Sequence, residues 1–407
     1  MTDLAVDGPG QGPAGAAPCV QLLNPEGERI SHPDYALEIG PEELRGLYRD
    51  LVMVRRFDAE ATSLQRQGEL GLWASCLGQE AAQVGSGRAL AAQDYAFPTY
   101  REHGVAWSRG IDPRQLLGLL RGTTQGGWDP AEHNMHLYTI VIGSQTLHAA
   151  GYAMGIQRDG NVGTGDPARD AAVIAYFGDG ATAQGDVNES FVFASVFNAP
   201  VVFFCQNNQW AISEPNERQT RIPLYRRASG FGFPGVRVDG NDVLACLAVT
   251  RAALDRARRG EGPTLIEAFT YRMGAHTTSD DPTRYRNPDE LDAWRSKDPI
   301  LRLRRHLERS GFADAAYFED LEAEAEALGE GLRSACLAMR NPDPAGMFEH
   351  AYREPHPLVD EERAWFETYQ HSFESPHDFE SQHSFESQPG VENGHTAGTP
   401  TGSGGQR

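Results

Sequence analysis

The sequence predicts an α/β fold built on a mostly parallel sheet with helices on both faces. Two apolar runs, 172–177 and 200–205, are rich in strand-forming residues and too short for helices. The segment between them, 184–198, carries apolar residues at helical spacing. A strand–helix–strand unit of this kind places its two strands parallel and joins them by a right-handed crossover.

Polar residues follow both predicted strands. Gly178-Asp179-Gly180 ends the first run, and Asn207-Asn208 follows the second. Because open α/β sheets bind ligands at the carboxyl ends of parallel strands, Asp179 and Asn208 are expected to meet there. A carboxylate and an amide oxygen suit a hard cation such as Mg²⁺, which keeps phosphate oxygens as its other ligands. The glycines let the backbone approach an anion. The pattern therefore predicts a metal-bridged diphosphate.

The other predicted elements are mostly helices. The helix at 42–67 is opened by Pro41 and has a regularly spaced apolar face. The helix at 144–157 has glycine and alanine at close spacing, which favours tight packing against the sheet. The remaining predictions are helices at 79–90, 112–121, 243–259, 289–310 and 317–339 and a strand at 264–273.

The composition argues against two classes of protein. A net charge of −21 disfavours nucleic-acid binding, which needs clustered basic charge. No apolar run approaches the roughly 20 residues of a membrane span, and no signal segment opens the chain. The five cysteines lack metal-ligand spacing. We therefore expect a protein of the reducing cytoplasm, with no nucleic-acid or membrane partner.

Several longer motifs carry a family resemblance. They are 178–181 (Gly-Asp-Gly-Ala), 205–213 (Cys-Gln-Asn-Asn-Gln-Trp-Ala-Ile-Ser), 237–242 (Arg-Val-Asp-Gly-Asn-Asp) and 273–281 (Met-Gly-Ala-His-Thr-Thr-Ser-Asp-Asp). Through them the chain resembles, over about 47–352, the α subunit of the decarboxylating first component of 2-oxo acid dehydrogenase complexes. The resemblance implies a thiamine-diphosphate-binding fold with added helical arms, and thiamine diphosphate and Mg²⁺ as cofactors.

The resemblance also implies which residues form the site. The implied metal ligands are the side chains of Asp179 and Asn208 and the carbonyl of Trp210. Arg101 is expected to hold the diphosphate together with Tyr100, since its planar fork can bind two phosphate oxygens at once. The full set of implied cofactor-binding residues is Tyr100, Arg101, Ile140, Ile142, Gly178, Asp179, Gly180, Ala181, Asn208, Trp210, Ile212 and His276.

His276 is the predicted catalytic residue. Its implied role is to orient and stabilise the reaction intermediate and to assist acyl transfer to a lipoyl group. Thr277 stands where animal relatives carry a phosphorylated serine, but a hydroxyl alone does not establish regulation. Ile140 stands where relatives often have a smaller residue, and Gln206 where some place an arginine. The cofactor contacts of these two residues are therefore expected to be weaker.

Three segments are predicted along the chain: a disordered or irregular arm at 1–38, a diphosphate-half domain with C-terminal helices at 39–365, and a low-complexity disordered tail at 366–407. The tail repeats a Gln-His-Ser-Phe-Glu-Ser hexapeptide, interpreted as disordered rather than metal-binding. Because the chain has room for one cofactor-binding half, a separate β subunit is expected to supply the other in an α2β2 heterotetramer. The lipoyl acyltransferase component of the complex is the other expected partner.

The predicted activity is oxidative decarboxylation of a small 2-oxo acid with acyl transfer to a lipoyl group. The motifs at 100–104 and 135–138 favour pyruvate, whereas 279–286 is equally at home in branched-chain enzymes, so 3-methyl-2-oxobutanoate is the alternative substrate. A noncatalytic scaffold homologue is disfavoured, because a scaffold has no physical need for the metal ligands, Arg101 and His276 together. A dinucleotide enzyme is disfavoured because no Gly-x-Gly-x-x-Gly follows a first strand.

Overall fold

The sheet is mostly parallel, as predicted. The computed structural model of the chain describes residues 18–374. The strands are β1 (Tyr95–Phe97), β2 (Val173–Gly178), β3 (Val201–Asn207), β4 (Trp210–Ala211), β5 (Glu214–Pro215), β6 (Gly235–Asp239) and β7 (Thr264–Phe269). The parallel sheet has the order β1-β2-β3-β7-β6. The short strands β4 and β5 form a separate antiparallel pair.

Helices account for most of the remaining elements. The helices predicted at 42–67, 79–90, 112–121, 144–157, 184–198, 243–259 and 317–339 are confirmed to within two residues at each end. The helices are α1 (Pro41–Arg66), α2 (Glu80–Ala89), α3 (His103–Ser108), α4 (Pro113–Arg121), α5 (Pro130–His133), α6 (Ser144–Arg158), α7 (Gly185–Val196), α8 (Asn216–Gln219), α9 (Arg227–Gly230), α10 (Val243–Arg258), α11 (Pro288–Arg295), α12 (Pro299–Arg309), α13 (Ala315–Ala338) and α14 (Pro357–Glu374).

The central strands are buried on both faces. In β2, Ile174 and Tyr176 belong to one apolar core, whereas Ala175 and Phe177 belong to a second. The first core includes residues of α1, α2 and α10, and the second includes residues of α6 and α7. A strand covered on both faces needs apolar side chains at every position, which explains the continuous apolar run at 172–177.

Two predicted elements differ from the structure. The helix predicted at 289–310 is divided into α11 and α12. Asp298 caps α12, and Pro299 occupies the first turn of α12. Because proline has no N–H, it cannot continue the hydrogen bonding of a preceding helix. The strand predicted at 264–273 ends at Phe269. Beyond it the Thr270 N–H still donates to Asn207 O at the end of β3 at 2.9 Å, and the Met273 N–H donates instead to Leu77 O at 3.0 Å.

The close packing predicted for α6 is made by its alanines. Ala149, Ala150 and Ala153 are buried. A Cβ placed at Gly151 or Gly155 would meet no atom within 4 Å, so these glycines do not bring the helix closer to the sheet. The expectation was therefore right for the alanines and wrong for the glycines.

The N-terminal arm extends the sheet. Val20 forms a parallel bridge with Val238 of β6, and Leu22 and Leu23 are buried. The Asp242 carboxylate accepts the N–H groups of Leu22 and Leu23 at 2.7 and 2.6 Å. The part of the arm that the structure describes is thus irregular but anchored.

A second compact unit begins at Pro342. Its helix α14 continues to Glu374, so the tail boundary predicted at 366 falls inside a helix. Residues 1–17 and 375–407, which hold the start of the arm and most of the hexapeptide repeat, lie outside the described residues. The three-part division of the chain remains a prediction.

Within 18–374, no helix is both long and apolar enough to cross a membrane.

Candidate active site

A cavity of about 490 Å³ lies at the carboxyl ends of the central strands. Other lining residues come from the segments before α2, α3 and α6 and from the loop after β7. Every residue predicted to bind the cofactor lines this cavity, namely Tyr100, Arg101, Ile140, Ile142, Gly178, Asp179, Gly180, Ala181, Asn208, Trp210, Ile212 and His276.

The two predicted metal-binding side chains end adjacent strands. Gly178 of β2 is level with Gln206 of β3, so Asp179 and Asn208 follow at the same edge of the sheet. Asp179 is buried, and its Oδ2 accepts a hydrogen bond from Gln219 Nε2 at 2.9 Å. Burial raises the pKa of the Asp179 carboxyl. A cation bound beside it would favour the ionised form and oppose this shift.

Asn208 has a fixed orientation. Its Oδ1 accepts from the backbone N–H of Trp210 at 3.2 Å, and its Nδ2 donates to Gln79 Oε1 at 3.1 Å. The carbonyl of Trp210 accepts from Arg272 Nη1 at 3.2 Å. Because an oxygen acceptor has two lone pairs, both the amide oxygen of Asn208 and this carbonyl can still bind a cation.

Gly180 at the same edge is required by packing. A Cβ at this position would lie 2.7 Å from the Cβ of Ala211, so a side chain does not fit without displacement of the β4–β5 hairpin. The packing of the hairpin therefore requires a glycine here, and the predicted approach of an anion to it stays a prediction.

His276 lies between two arginines. Its Nδ1 is 3.3 Å from Arg101 Nη2 and 3.3 Å from Arg272 Nη1. A guanidinium can only donate hydrogen bonds, so Nδ1 is the acceptor and the ring proton resides on Nε2. Burial, together with the positive charges of Arg101 and Arg272, lowers the pKa of His276 to about 4. Near neutral pH the side chain is therefore a neutral hydrogen-bond donor.

Arg101 connects the His276 loop to the segment before α2. Its Nη1 donates to Ser75 O at 2.6 Å, and its Nη2 donates to His276 O at 2.8 Å. The backbone N–H of His276 in turn donates to Asp280 Oδ2 at 2.8 Å. These bonds fix the backbone on which the imidazole is carried.

Arg272 is a site residue that sequence reasoning missed. It is fully buried, and besides Trp210 O it donates to Ile212 O at 2.7 Å and to the Tyr285 hydroxyl at 2.9 Å. It therefore joins the loop of the predicted metal ligands to the loop of His276. The available signal was an arginine inside the segment predicted as a strand, 264–273.

Ile212 has a strained backbone. Its φ of 55° is rare for a β-branched residue, and such conformations cluster at functional sites. The hydrogen bond from Arg272 to its carbonyl helps to hold this conformation. Ile212 and the loop residues Ile140 and Ile142 have exposed side chains at the cavity.

Gln206 is engaged within the protein. Its Nε2 donates to Glu102 Oε1 at 2.6 Å, and its Oε1 accepts from Gln83 Nε2 at 3.2 Å. Burial raises the pKa of the Glu102 carboxyl. Both ends of the side-chain amide are therefore bonded within the protein. The weaker contact of Gln206 with a diphosphate stays a prediction.

Fold and site together define a class of protein. A parallel α/β sheet that ends in an acid–amide oxygen pair beside a cofactor-sized cavity is the arrangement expected of an enzyme that binds a metal-bridged diphosphate. The chain belongs to the Dehydrogenase E1 component family, which matches residues 48–330. Enzymes of this family are, in general, dependent on thiamine diphosphate.

Two relatives are similar over most of the chain. The chain is 46% identical over 345 residues to the 3-methyl-2-oxobutanoate dehydrogenase subunit alpha of Mycobacterium tuberculosis (strain ATCC 25618 / H37Rv), a match that covers 84% of this chain and 92% of the relative. It is 40% identical over 307 residues to the pyruvate dehydrogenase E1 component subunit alpha of Staphylococcus aureus (strain Mu50 / ATCC 700699), covering 75% of this chain and 80% of the relative.

Proposed function

We propose that the chain is the α subunit of a 2-oxo acid dehydrogenase, which decarboxylates a small 2-oxo acid oxidatively and passes the acyl group to the lipoyl group of an acyltransferase component. The observation that carries the proposal is the convergence of all the predicted cofactor-binding residues on one cavity. Both relatives are alpha subunits of enzymes of this kind. A cytoplasmic location is part of the proposal.

The residues present fit thiamine diphosphate and Mg²⁺. Asp179, Asn208 and the carbonyl of Trp210 offer only oxygen ligands, which Mg²⁺ prefers. Gly178 and Gly180 carry no side chain at the cavity wall, and a Cβ at Gly178 would meet no atom within 4 Å, so the backbone is accessible there. Tyr100 and Arg101 are proposed to contact the diphosphate. When bound, the cofactor supplies the electron sink for decarboxylation.

The chain's own contribution to the reaction is position and electrostatics. We assign His276 the role of presenting its Nε2–H to the reacting substrate, since Nδ1 is held by Arg101 and Arg272. The rigid bonding of both arginines limits movement of the ring. A preorganised donor of this kind stabilises charge that develops in a transition state without reorganisation.

The substrate is proposed to be pyruvate, with 3-methyl-2-oxobutanoate as the alternative, and the two relatives support these about equally. A separate β subunit is proposed to supply the second half of the cofactor site in an α2β2 assembly. A noncatalytic scaffold is disfavoured, because the metal-binding, arginine and histidine groups are all brought together in one cavity.

The test is turnover by the chain assembled with its β subunit and a lipoyl domain. We expect acyl-lipoyl product from at least one of the two 2-oxo acids, and the ratio of their kcat/KM values identifies the substrate. Asp179→Ala removes a predicted metal ligand, and it should abolish turnover because cofactor binding is lost. An assembly that binds the cofactor but acts on neither acid would contradict the proposal and favour the scaffold.

A further inference from the structure

Gln79 has no assigned role, yet its side chain is a fully buried part of the cavity wall. It precedes the first residue of α2 and does not cap that helix through its side chain. Its Oε1 accepts from Asn208 Nδ2 at 3.1 Å. The orientation of the Asn208 amide is set independently, because Asn208 Oδ1 accepts from the Trp210 N–H. The orientation of the Gln79 amide follows: its oxygen faces Asn208 and its nitrogen remains free.

Gln79 Nε2 finds no hydrogen-bond acceptor among the described residues 18–374. An amide nitrogen has two N–H groups, and a buried donor left without an acceptor is unfavourable. Native proteins rarely retain such a donor unless a ligand, water or ion completes it. Because Gln79 lines the cavity, the missing acceptor is expected to be a ligand atom.

The neighbouring groups restrict the chemistry of that acceptor. Asp179 and Asn208 both offer oxygens at this edge of the sheet, and oxygens attract a cation. A cation bound there needs further oxygen atoms to complete its coordination. A metal-bound water would turn its hydrogens outward and would need an acceptor, whereas Gln79 Nε2 offers a donor. A phosphoryl oxygen, which only accepts, fits both the cation and the amide.

We propose that Gln79 Nε2 donates a hydrogen bond to a diphosphate oxygen of thiamine diphosphate beside Asn208. The inference rests on the proposed function and adds to the cofactor site a binding residue that the sequence motifs did not indicate. The same donor chemistry could serve the carboxylate of the 2-oxo acid, and the two sources differ in which affinity they control. A diphosphate contact governs cofactor binding, whereas a carboxylate contact governs the KM of the substrate.

The test uses Gln79→Glu in the chain assembled with its β subunit. The glutamate keeps the size of the side chain and an oxygen for Asn208, but it replaces the N–H donor with an anionic acceptor. Calorimetry at saturating Mg²⁺ should show a Kd for thiamine diphosphate raised about 10- to 100-fold, since a charge-assisted bond is lost and a repulsion is added. Gln79→Met, which removes the donor without adding charge, should raise the Kd by a smaller factor.

Gln67→Glu is the matched control, because Gln67 is exposed at the end of α1 and outside the cavity lining. It should leave the Kd unchanged. Cofactor-free thermal melts establish that each variant is folded, and Gln79→Met serves if Gln79→Glu is not. An unchanged or lower Kd in both Gln79 variants would overturn the inference, as would a raised substrate KM with normal cofactor affinity. Asp179→Ala separates this failure from a wider one: if it also retains full affinity, the proposed cofactor site itself is wrong.

Discussion

At the scale of single residues, the environment of His276 limits what it can do. An imidazole whose Nδ1 accepts from one of two arginines cannot act as a base through that atom without losing the contact. Its pKa of about 4 means that it carries no charge near pH 7. The side chain can therefore donate a hydrogen bond from Nε2, but at neutral pH it is almost never in the protonated, charged form that could act as a general acid.

His276→Ala should separate catalysis from cofactor binding. We expect the Kd for thiamine diphosphate to stay within a few-fold, because the proposed diphosphate contacts come from other residues. Acyl transfer to a lipoyl domain should fall about 100-fold or more, the loss typical of a removed catalytic hydrogen-bonding group. Decarboxylation followed with an artificial electron acceptor should fall less. All three are measured on one preparation.

The pH dependence provides the control for this prediction. Because the pKa of His276 lies near 4, its protonation should produce no inflection in the rate of acyl transfer between pH 6 and 8. An inflection in that range that disappears in His276→Asn would contradict the neutral-donor assignment. Equal loss of cofactor affinity and of activity in His276→Ala would reduce the residue to a structural role.

Chain order alone predicts the site residues that follow strands, whereas Tyr100, Arg101 and His276 were predicted through the family resemblance. Asp179 and Asn208 lie two and three residues after the ends of the apolar runs, so their meeting at one edge follows from chain order. Arg272, Gln79 and the positive φ of Ile212 could not be predicted in this way. Their roles depend on hydrogen bonds between segments far apart in sequence, such as the 3.1 Å bond between Asn208 and Gln79.

At the scale of elements, one carboxylate fixes both a helix and the N-terminal arm. Asp242 caps α10 by accepting from Leu244 and Ala245, and it also accepts from the buried N–H groups of Leu22 and Leu23. The helix boundary was predictable from an aspartate before an apolar periodic segment. The second function was not, because the arm has no periodic pattern that would indicate its partner.

Asp242→Ala should therefore destabilise the fold more than loss of a helix cap alone. Removal of a cap costs about 1 kcal/mol, and each buried N–H left without an acceptor adds about 1–3 kcal/mol. We expect the free energy of unfolding to fall by roughly 3 kcal/mol or more. Urea titration, with the m-value compared between variants, measures the change.

Asp112→Ala is the matched control, since Asp112 caps α4 through the Arg114 N–H and, among residues 18–374, accepts from no segment other than α4. Its expected cost is about 1 kcal/mol. Equal losses in the two variants would show that the bonds from Asp242 to the arm contribute nothing to stability.

At the scale of the whole molecule, the cavity borders an exposed apolar surface. Ile140 is 67% exposed and Val141 70% exposed, in the loop that leads into α6, and Ile212 is exposed at the cavity as well. Adjacent exposed aliphatic side chains are typical of protein–protein interfaces. This surface supports the proposal that a β subunit completes the cofactor site.

The isolated chain should therefore show no 2-oxo acid decarboxylation until a β subunit is added. Sedimentation of the mixture should give an assembly of two α and two β chains. Val141→Asp should weaken assembly by at least about 10-fold, because an unpaired charge would be buried at the contact. Leu337→Asp is the matched control: Leu337 is also exposed, but it lies on α13, which contributes none of the described cavity-lining residues, whereas Val141 lies between the lining residues Ile140 and Ile142. Its substitution should leave assembly unchanged. Turnover by the isolated chain at the rate of the mixture would refute the prediction, and equal effects of the two substitutions would show that the contact lies elsewhere.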